Sequence, residues 1–78
     1  MADWEERIVV DSQVLAGKPV IKGTRLSVEF IMGLLGGGVS IEELLENYPG
    51  ITREDVLACL AYAADVLQDL RVFPLKAS

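Results

Sequence analysis

Residues 27–45 read SVEFIMGLLGGGVSIEELL and predict two helices separated by a glycine break. In the first half, Ser27 is an N-cap candidate, and four apolar residues follow at the i, i+3, i+4, i+7 spacing of one helical face. They are Val28, Ile31, Met32 and Leu35. The three glycines at 36–38 end this helix, because glycine adopts the left-handed backbone of a C-cap without steric strain.

A second helix is predicted to begin after Ser40. Glu43 lies three residues further on, which is the spacing of a capping box. The apolar face of this helix contains Ile41, Leu44, Leu45 and Tyr48. The opposite face contains Glu42, Glu43, Glu46 and Asn47. We interpret this acidic face as a solvated surface; the alternative is a contact site for a basic partner, formed by Glu42 and Glu46.

A third helix is predicted from Thr52, with Asp55 as its capping-box partner, to about Leu70. A helical wheel places four residues at the centre of its core-facing side, namely Val56, Leu60, Ala63 and Leu67. Other apolar residues surround them, so a second surface must cover the helix. We therefore predict a homodimer whose interface contains Leu57, Cys59, Tyr62 and Val66. Cys59 has an alternative interpretation as an inert core thiol in apolar surroundings.

The first 26 residues have the sequence pattern of a β-hairpin arm. Short β-branched runs at 8–10 and 20–21 are separated by Gly17-Lys18-Pro19 and followed by Gly23-Thr24. Trp4 is either part of a frayed end or an anchor folded back onto the hairpin. The predicted organisation is a hairpin arm at 1–26, a three-helix unit at 27–70 and a short extended tail at 71–78. This is a mainly α, helix-turn-helix-like (homeodomain-like) single domain.

Composition limits the function. The 78 residues include no histidine and one cysteine, which excludes zinc clusters, Ser-His-Asp triads and an internal disulfide. We predict no catalytic residues, metal or cofactor, and no enzymatic activity. No apolar run is long enough for a membrane span, and the acidic start lacks the positive charge of a secretory signal, so we expect a cytoplasmic protein. The net charge of −5 disfavours generic DNA attraction and fits a basic partner.

Two basic features remain candidates for partner or nucleic-acid contact. Lys18, Lys22 and Arg25 lie close together, but the order of Lys22 and Gly23 does not match a phosphate-binding loop. They form either a positive patch, or a turn with solvated lysines and Arg25 paired to a carboxylate. Arg53 would start the recognition helix of a helix-turn-helix, where the neighbouring carboxylates disfavour DNA.

Three motifs carry a family resemblance. The run GKPVIKGTRL at 17–26, GVSIEEL at 38–44 and YPGIT at 48–52 resemble the family of domains of unknown function numbered 433. The resemblance extends from about Ile8 to about Leu67. It implies a homeodomain-like or winged-helix-like helical fold and similarity to VapB-type antitoxins, which are often encoded beside a nuclease-like toxin. The family supplies no established catalytic residues.

These observations favour a dimeric, non-enzymatic, antitoxin-like protein that binds and neutralises a nuclease-like toxin; regulation of its own transcription is an additional role that the sequence supports only weakly. The acidic charge supports this hypothesis, because a nuclease presents positive charge to its substrate. One alternative is a helix-turn-helix DNA-binding regulator. The other is a packing or adaptor module with neither activity.

Overall fold

Three helices pack against a two-stranded antiparallel hairpin in the structure, a computed structural model that describes residues 4–69. The strands are β1 (Ile8–Val10) and β2 (Pro19–Ile21), and the helices are α1 (Val28–Gly36), α2 (Ile41–Asn47) and α3 (Arg53–Asp69). The predicted fold class is confirmed. Leu70, the predicted end of the third helix, and the predicted tail at 71–78 lie outside the described residues. No helix within residues 4–69 has the length and apolar character needed to cross a membrane.

The hairpin is the predicted one, with β2 starting one residue earlier than expected. Ile8 lies opposite Ile21, and Val10 lies opposite Pro19. Pro19 occupies the first position of β2, where a residue without an N–H is tolerated. The connection contains an unpredicted 3-10 turn at Leu15–Gly17, in which all three residues have positive φ, at 50°, 57° and 85°.

The predicted starts of the three helices and the predicted ends of α1 and α2 are confirmed. Ser27 accepts a hydrogen bond from the Phe30 N–H at 2.9 Å, and Ser40 and Glu43 form a reciprocal capping box. At the end of α1, Gly38 has φ 101° and the Val39 N–H donates to the Leu34 carbonyl at 3.0 Å. This six-to-one bond is the Schellman arrangement, which ends a helix and turns the chain.

The start of α3 is fixed by three contacts of Asp55, two with Thr52 and one with Arg7. Its N–H donates to the Thr52 hydroxyl at 3.2 Å, and its Oδ2 accepts the Thr52 N–H at 2.9 Å. Its Oδ1 receives the Arg7 guanidinium at 3.0 Å. Because Asp55 is itself buried, these contacts tie the hairpin arm to the first turn of α3.

The core confirms the predicted faces of α1 and α2 and corrects that of α3. Core residues with no exposed surface are Ile31, Leu44, Val56, Ala58 and Cys59. Leu60 and Leu67, which the wheel placed at the centre of the core-facing side, are 38% and 61% exposed. The reason is the anchoring of Asp55, because turning Asp55 towards Arg7 also turns Cys59 inward and Leu60 outward.

Candidate interaction surface

α3 carries two apolar surfaces outside the core. The first, which we call the α1–α3 groove, is an open cavity of about 420 Å³ between α1 and the C-terminal half of α3. Its walls come from Pro19, Val28, Glu29, Met32, Tyr62, Ala63, Val66 and Leu67. With almost wholly apolar walls, it is suited to apolar side chains.

The second surface, which we call the outer stripe, consists of Leu57, Leu60, Ala61 and Ala64. These residues have the i, i+3, i+4, i+7 spacing and span about 100° of the helix on the side opposite Cys59. Leu57 and Leu60 are 42% and 38% exposed. The stripe therefore has the spacing of a helix–helix contact, with Ala61 half-buried and the other three residues exposed.

The four predicted interface residues are divided among three environments. Leu57 lies on the outer stripe, whereas Tyr62 and Val66 line the α1–α3 groove. Cys59 is fully buried in the core of the chain, so its assignment to an interface between chains is wrong and its alternative interpretation as a core thiol is confirmed. Burial, and secondarily the Asp55 carboxylate, raises the pKa of the Cys59 thiol to about 11.

Trp4 is an anchor on α3 and not on the hairpin. Its ring packs edge-on against Tyr62, with 4.8 Å between the ring centroids. Its indole N–H donates a hydrogen bond to the Asp65 carboxylate. The first described turn, Trp4–Glu6, is thereby held beside the α1–α3 groove.

Two of the predicted basic contact residues are engaged in exposed ion pairs. Lys18 Nζ lies 3.0 Å from Glu29 Oε1, and Arg53 Nη2 lies 2.7 Å from Glu42 Oε2. Lys22 and Arg25 are exposed and make no ion pair within residues 4–69. The alternative in which Arg25 pairs with a carboxylate is therefore wrong for this part of the chain.

The first turn of α3 is occupied by contacts within the chain. The Thr52 hydroxyl caps the helix, Arg53 pairs with Glu42, and Asp55 is buried against Arg7. These are the residues that a recognition helix would direct at base edges. The geometry does not favour DNA reading through this turn.

The outer face of α2 carries the predicted acidic surface. Glu43 is used in the capping box, and Glu46 is exposed. A backbone hydrogen bond, followed by the hydrogen bond and charge of Arg53, lowers the pKa of the Glu42 carboxyl. Glu42 and Glu46 thus project carboxylates from one helix, with Glu42 partly neutralised by Arg53.

Turn geometry accounts for three residues of the motif at 17–26. Gly17 and Gly23 have φ 85° and 82°, in the left-handed region that favours glycine. The Thr24 hydroxyl donates to the Ile21 carbonyl at 2.8 Å and accepts the Leu26 N–H at 3.0 Å. Gly17 ends the turn before β2, and Gly23 and Thr24 shape the turn after it. Nothing in the structure explains Arg25 in the same way.

The arrangement defines a small, mostly helical domain with an N-terminal hairpin and an exposed apolar helix. The chain belongs to the family described as "Protein of unknown function (DUF433)", whose model matches residues 8–63. A crystal structure of a DUF433 member protein from Anabaena variabilis has the same fold, with a TM-score of 0.76 and 32% identity. The similarity covers 81% of this chain and 62% of the Anabaena chain.

Two further relatives are uncharacterised proteins. The chain is 30% identical over 63 residues to protein y4eO of Sinorhizobium fredii, covering 81% of this chain and 28% of that protein. It is 71% identical over 24 residues to a protein of Archaeoglobus fulgidus, covering 31% of this chain and 67% of that protein. The chain thus spans less than a third of the length of the Sinorhizobium protein. Within residues 4–69, no three His, Cys, Asp or Glu side chains are grouped to hold a metal ion.

Proposed function

We propose that this protein is a homodimeric, non-enzymatic, antitoxin-like protein that binds and neutralises a nuclease-like toxin. The observation that carries the proposal is the imbalance of surface charge. Arg7, Lys18 and Arg53 are each paired with a carboxylate of the same chain, while Glu46 stays exposed. In a chain with 12 acidic and seven basic residues, pairing leaves the surface negative.

Complementary charge explains why a nuclease would be the partner. A protein that binds nucleic acid presents Lys and Arg to the phosphates, and an acidic protein competes for the same surface. The carboxylates of α2 supply this acidity, and the α1–α3 groove is a separate apolar surface that could also contact a partner. The choice of a toxin as the partner rests on the family resemblance.

The test is binding of the full chain to the product of the neighbouring gene, measured over a range of salt concentrations. The expected result is a complex at micromolar concentration that weakens as salt is added, because screening reduces attraction between exposed charges. Glu46→Lys should weaken this complex and flatten its salt dependence. Absence of a complex at micromolar concentration would refute the proposal.

Asp69→Lys provides the matched control. It makes the same change of charge at the far end of α3, about 24 Å along the helix from Arg53 and its partner Glu42. If both variants weaken the complex equally, net charge and not the face of α2 determines binding. If the protein neutralised the toxin as an enzyme, the toxin would be chemically modified. That result would contradict the non-enzymatic part of the proposal.

Exposure of Lys22 and Arg25 favours one second candidate, a DNA-binding regulator. In this alternative, the turn after β2 contacts phosphates while Arg53 stays paired with Glu42. A shift assay over several salt concentrations tests it, since phosphate contacts give a steep loss of affinity with salt. Replacing Lys22 and Arg25 with alanine should abolish the shift, and Arg53→Ala should leave it.

A further inference from the structure

We propose that residues 70–78 fold back along α3 and close the α1–α3 groove of their own chain, with Phe73 and Leu75 as the side chains that fill it. This segment follows directly after Asp69, the end of α3, and reads LRVFPLKAS. It is thus attached two residues beyond Leu67, which is part of the groove wall. The proposal concerns a single chain and depends neither on a toxin nor on a homodimer.

The α1–α3 groove is large and apolar enough to take these two side chains. Val66 and Leu67 on its α3 wall are 39% and 61% exposed. Exposed apolar residues that line a concave surface are typical of a binding site. A cavity of about 150 Å³ holds a benzene ring. A groove of about 420 Å³ therefore has room for the ring of Phe73 together with the side chain of Leu75.

Pro74 turns the segment away from the axis of α3. Proline has no N–H to continue the helical hydrogen bonds, and it disfavours the α conformation at the preceding residue, Phe73. We therefore expect an extended backbone here. Side chains alternate along an extended chain, so Phe73 and Leu75 share one side. Val72 and Lys76 share the opposite side, which leaves the lysine in water while the two apolar side chains enter the groove.

The length of the segment matches the length of the groove wall. From Asp69 back to Tyr62 is seven residues of helix, or about 10 Å. If the chain reverses at residues 70–71, the four residues 72–75 extend about 13 Å back along α3, at about 3.3 Å per residue. This run therefore reaches from the end of α3 to the far end of its groove wall at Tyr62.

Charge complementarity favours the same position. Residues 70–78 contain Arg71 and Lys76 and no acidic residue, whereas residues 4–69 contain eleven acidic and five basic residues. Asp65 and Asp69 follow Tyr62 by three and seven residues, so they border the groove on its α3 side. The attraction between the basic segment and these carboxylates weakens as salt is added.

Attachment to α3 makes a small contact sufficient. A short flexible link gives an effective concentration of about 1 mM. A contact with a dissociation constant of about 0.1 mM between separate molecules is then formed about ten to one within the chain. The groove can therefore be closed by two side chains, without the large area that a stable complex of separate molecules buries.

Urea unfolding of the full chain tests this closure, because a contact present only in the folded state adds to its stability. A contact formed ten to one contributes a factor of about eleven to the folding equilibrium constant. Phe73→Ala should therefore lower this constant about five- to tenfold. Val72→Ala truncates the side of the segment that faces away from the groove. This matched control should lower the constant by less than about twofold.

A double-mutant cycle with Leu67 locates the contact. Leu67→Ala should lower the folding constant about fivefold in the original chain. In the Phe73→Ala background it should lower the constant by less than about twofold, because its partner is already absent. Leu57→Ala removes the same side chain from the outer stripe, so it should have an equally small effect in both backgrounds. Circular dichroism checks that each variant folds.

The outcomes that overturn the proposal are distinct. If Phe73→Ala changes the folding constant by less than about twofold, the segment does not close the groove. If Leu67→Ala has equal effects in both backgrounds, Phe73 does not contact the groove wall. Coupling that grows with protein concentration, together with a dimer in sedimentation, assigns the groove to the segment of a second copy. These measurements include no toxin, so their result is independent of the proposed function.

Discussion

Replacing Ala16 with glycine is expected to stabilise the protein, although alanine is normally the more favourable residue. Ala16 is exposed and has φ 57° and ψ 33°, between two other residues with positive φ. An L residue with a side chain is strained there, because its Cβ approaches the following carbonyl oxygen. Glycine has no Cβ, and at this exposed position its introduction removes little packing.

The size of the effect is a difference of two opposing terms. Relief of the left-handed strain is worth about 1–2 kcal/mol, and the extra freedom of glycine in the unfolded chain costs about 0.4–1 kcal/mol. The expected net gain in the free energy of unfolding is about 0.5–1 kcal/mol. Ala64→Gly makes the same chemical change at an exposed position of α3 and should lose about 1 kcal/mol. The unfolded-state term is common to both variants, so their difference of about 1.5–2 kcal/mol reports the folded state.

Urea unfolding followed by circular dichroism measures this difference, at a concentration where sedimentation gives monomer only. With an unchanged m-value near 1 kcal/mol/M, the two midpoints should be separated by about 1.5–2 M urea. The reasoning is refuted if Ala16→Gly lowers the midpoint as Ala64→Gly does. That outcome would mean that the turn at Leu15–Gly17 is not strained.

Three further predictions follow from burial and charge. Leu44→Ala should lower the free energy of unfolding, measured in urea, by about 2–5 kcal/mol because Leu44 has no exposed surface. Leu57→Ala should change the free energy of unfolding of the monomer by less than about 0.5 kcal/mol. Equal losses would contradict the assignment of the core. The raised pKa of Cys59 favours the protonated thiol in the folded state, so its contribution is complete below about pH 9 and is lost as the pH rises towards about 11. Cys59→Ala should show a shallower decline in unfolding free energy over this range, and an identical slope would contradict the prediction. Arg53→Ala should raise the pKa of Glu42 only part of the way to its ordinary value in an NMR titration, because the backbone hydrogen bond, the largest single cause of the lowering, remains. An unchanged pKa would show that Arg53 has no effect.

Helix boundaries were predictable because their signals are local. The caps of α1, α2 and α3 depend on Ser27, Ser40 and Thr52 and on residues at most three positions away. The glycine break after α1 is equally local. A pattern confined to one turn of helix determines the same geometry wherever the helix lies.

The rotation of α3 was not predictable from its own residues. Its circumference is apolar on several sides, so the wheel offers no single core-facing stripe. The deciding contact joins Arg7 to Asp55 across 48 positions of the chain. For this reason the prediction that Cys59 lies at an interface was wrong. Leu57, another predicted interface residue, is exposed and is therefore available for contact.

The strained turn at Leu15–Gly17 also gave no usable signal. Gly17 is a residue that favours positive φ, but Leu15 and Ala16 are not, and both adopt it at 50° and 57°. Trp4 could not be assigned for the opposite reason, since its partners Tyr62 and Asp65 lie far along the sequence. Long-range contacts of this kind become visible only in three dimensions.

The position of Trp4 gives the protein a natural optical probe. It is the single tryptophan of the chain, and its indole lies against Tyr62 and Asp65 at the border of the α1–α3 groove. Indole emission responds to the polarity and motion of its surroundings, so a molecule that enters the groove should change the fluorescence without any label. A contact restricted to the opposite side of α3 should leave the emission spectrum unaltered. The wavelength and intensity of the Trp4 emission therefore distinguish binding at the two surfaces in solution.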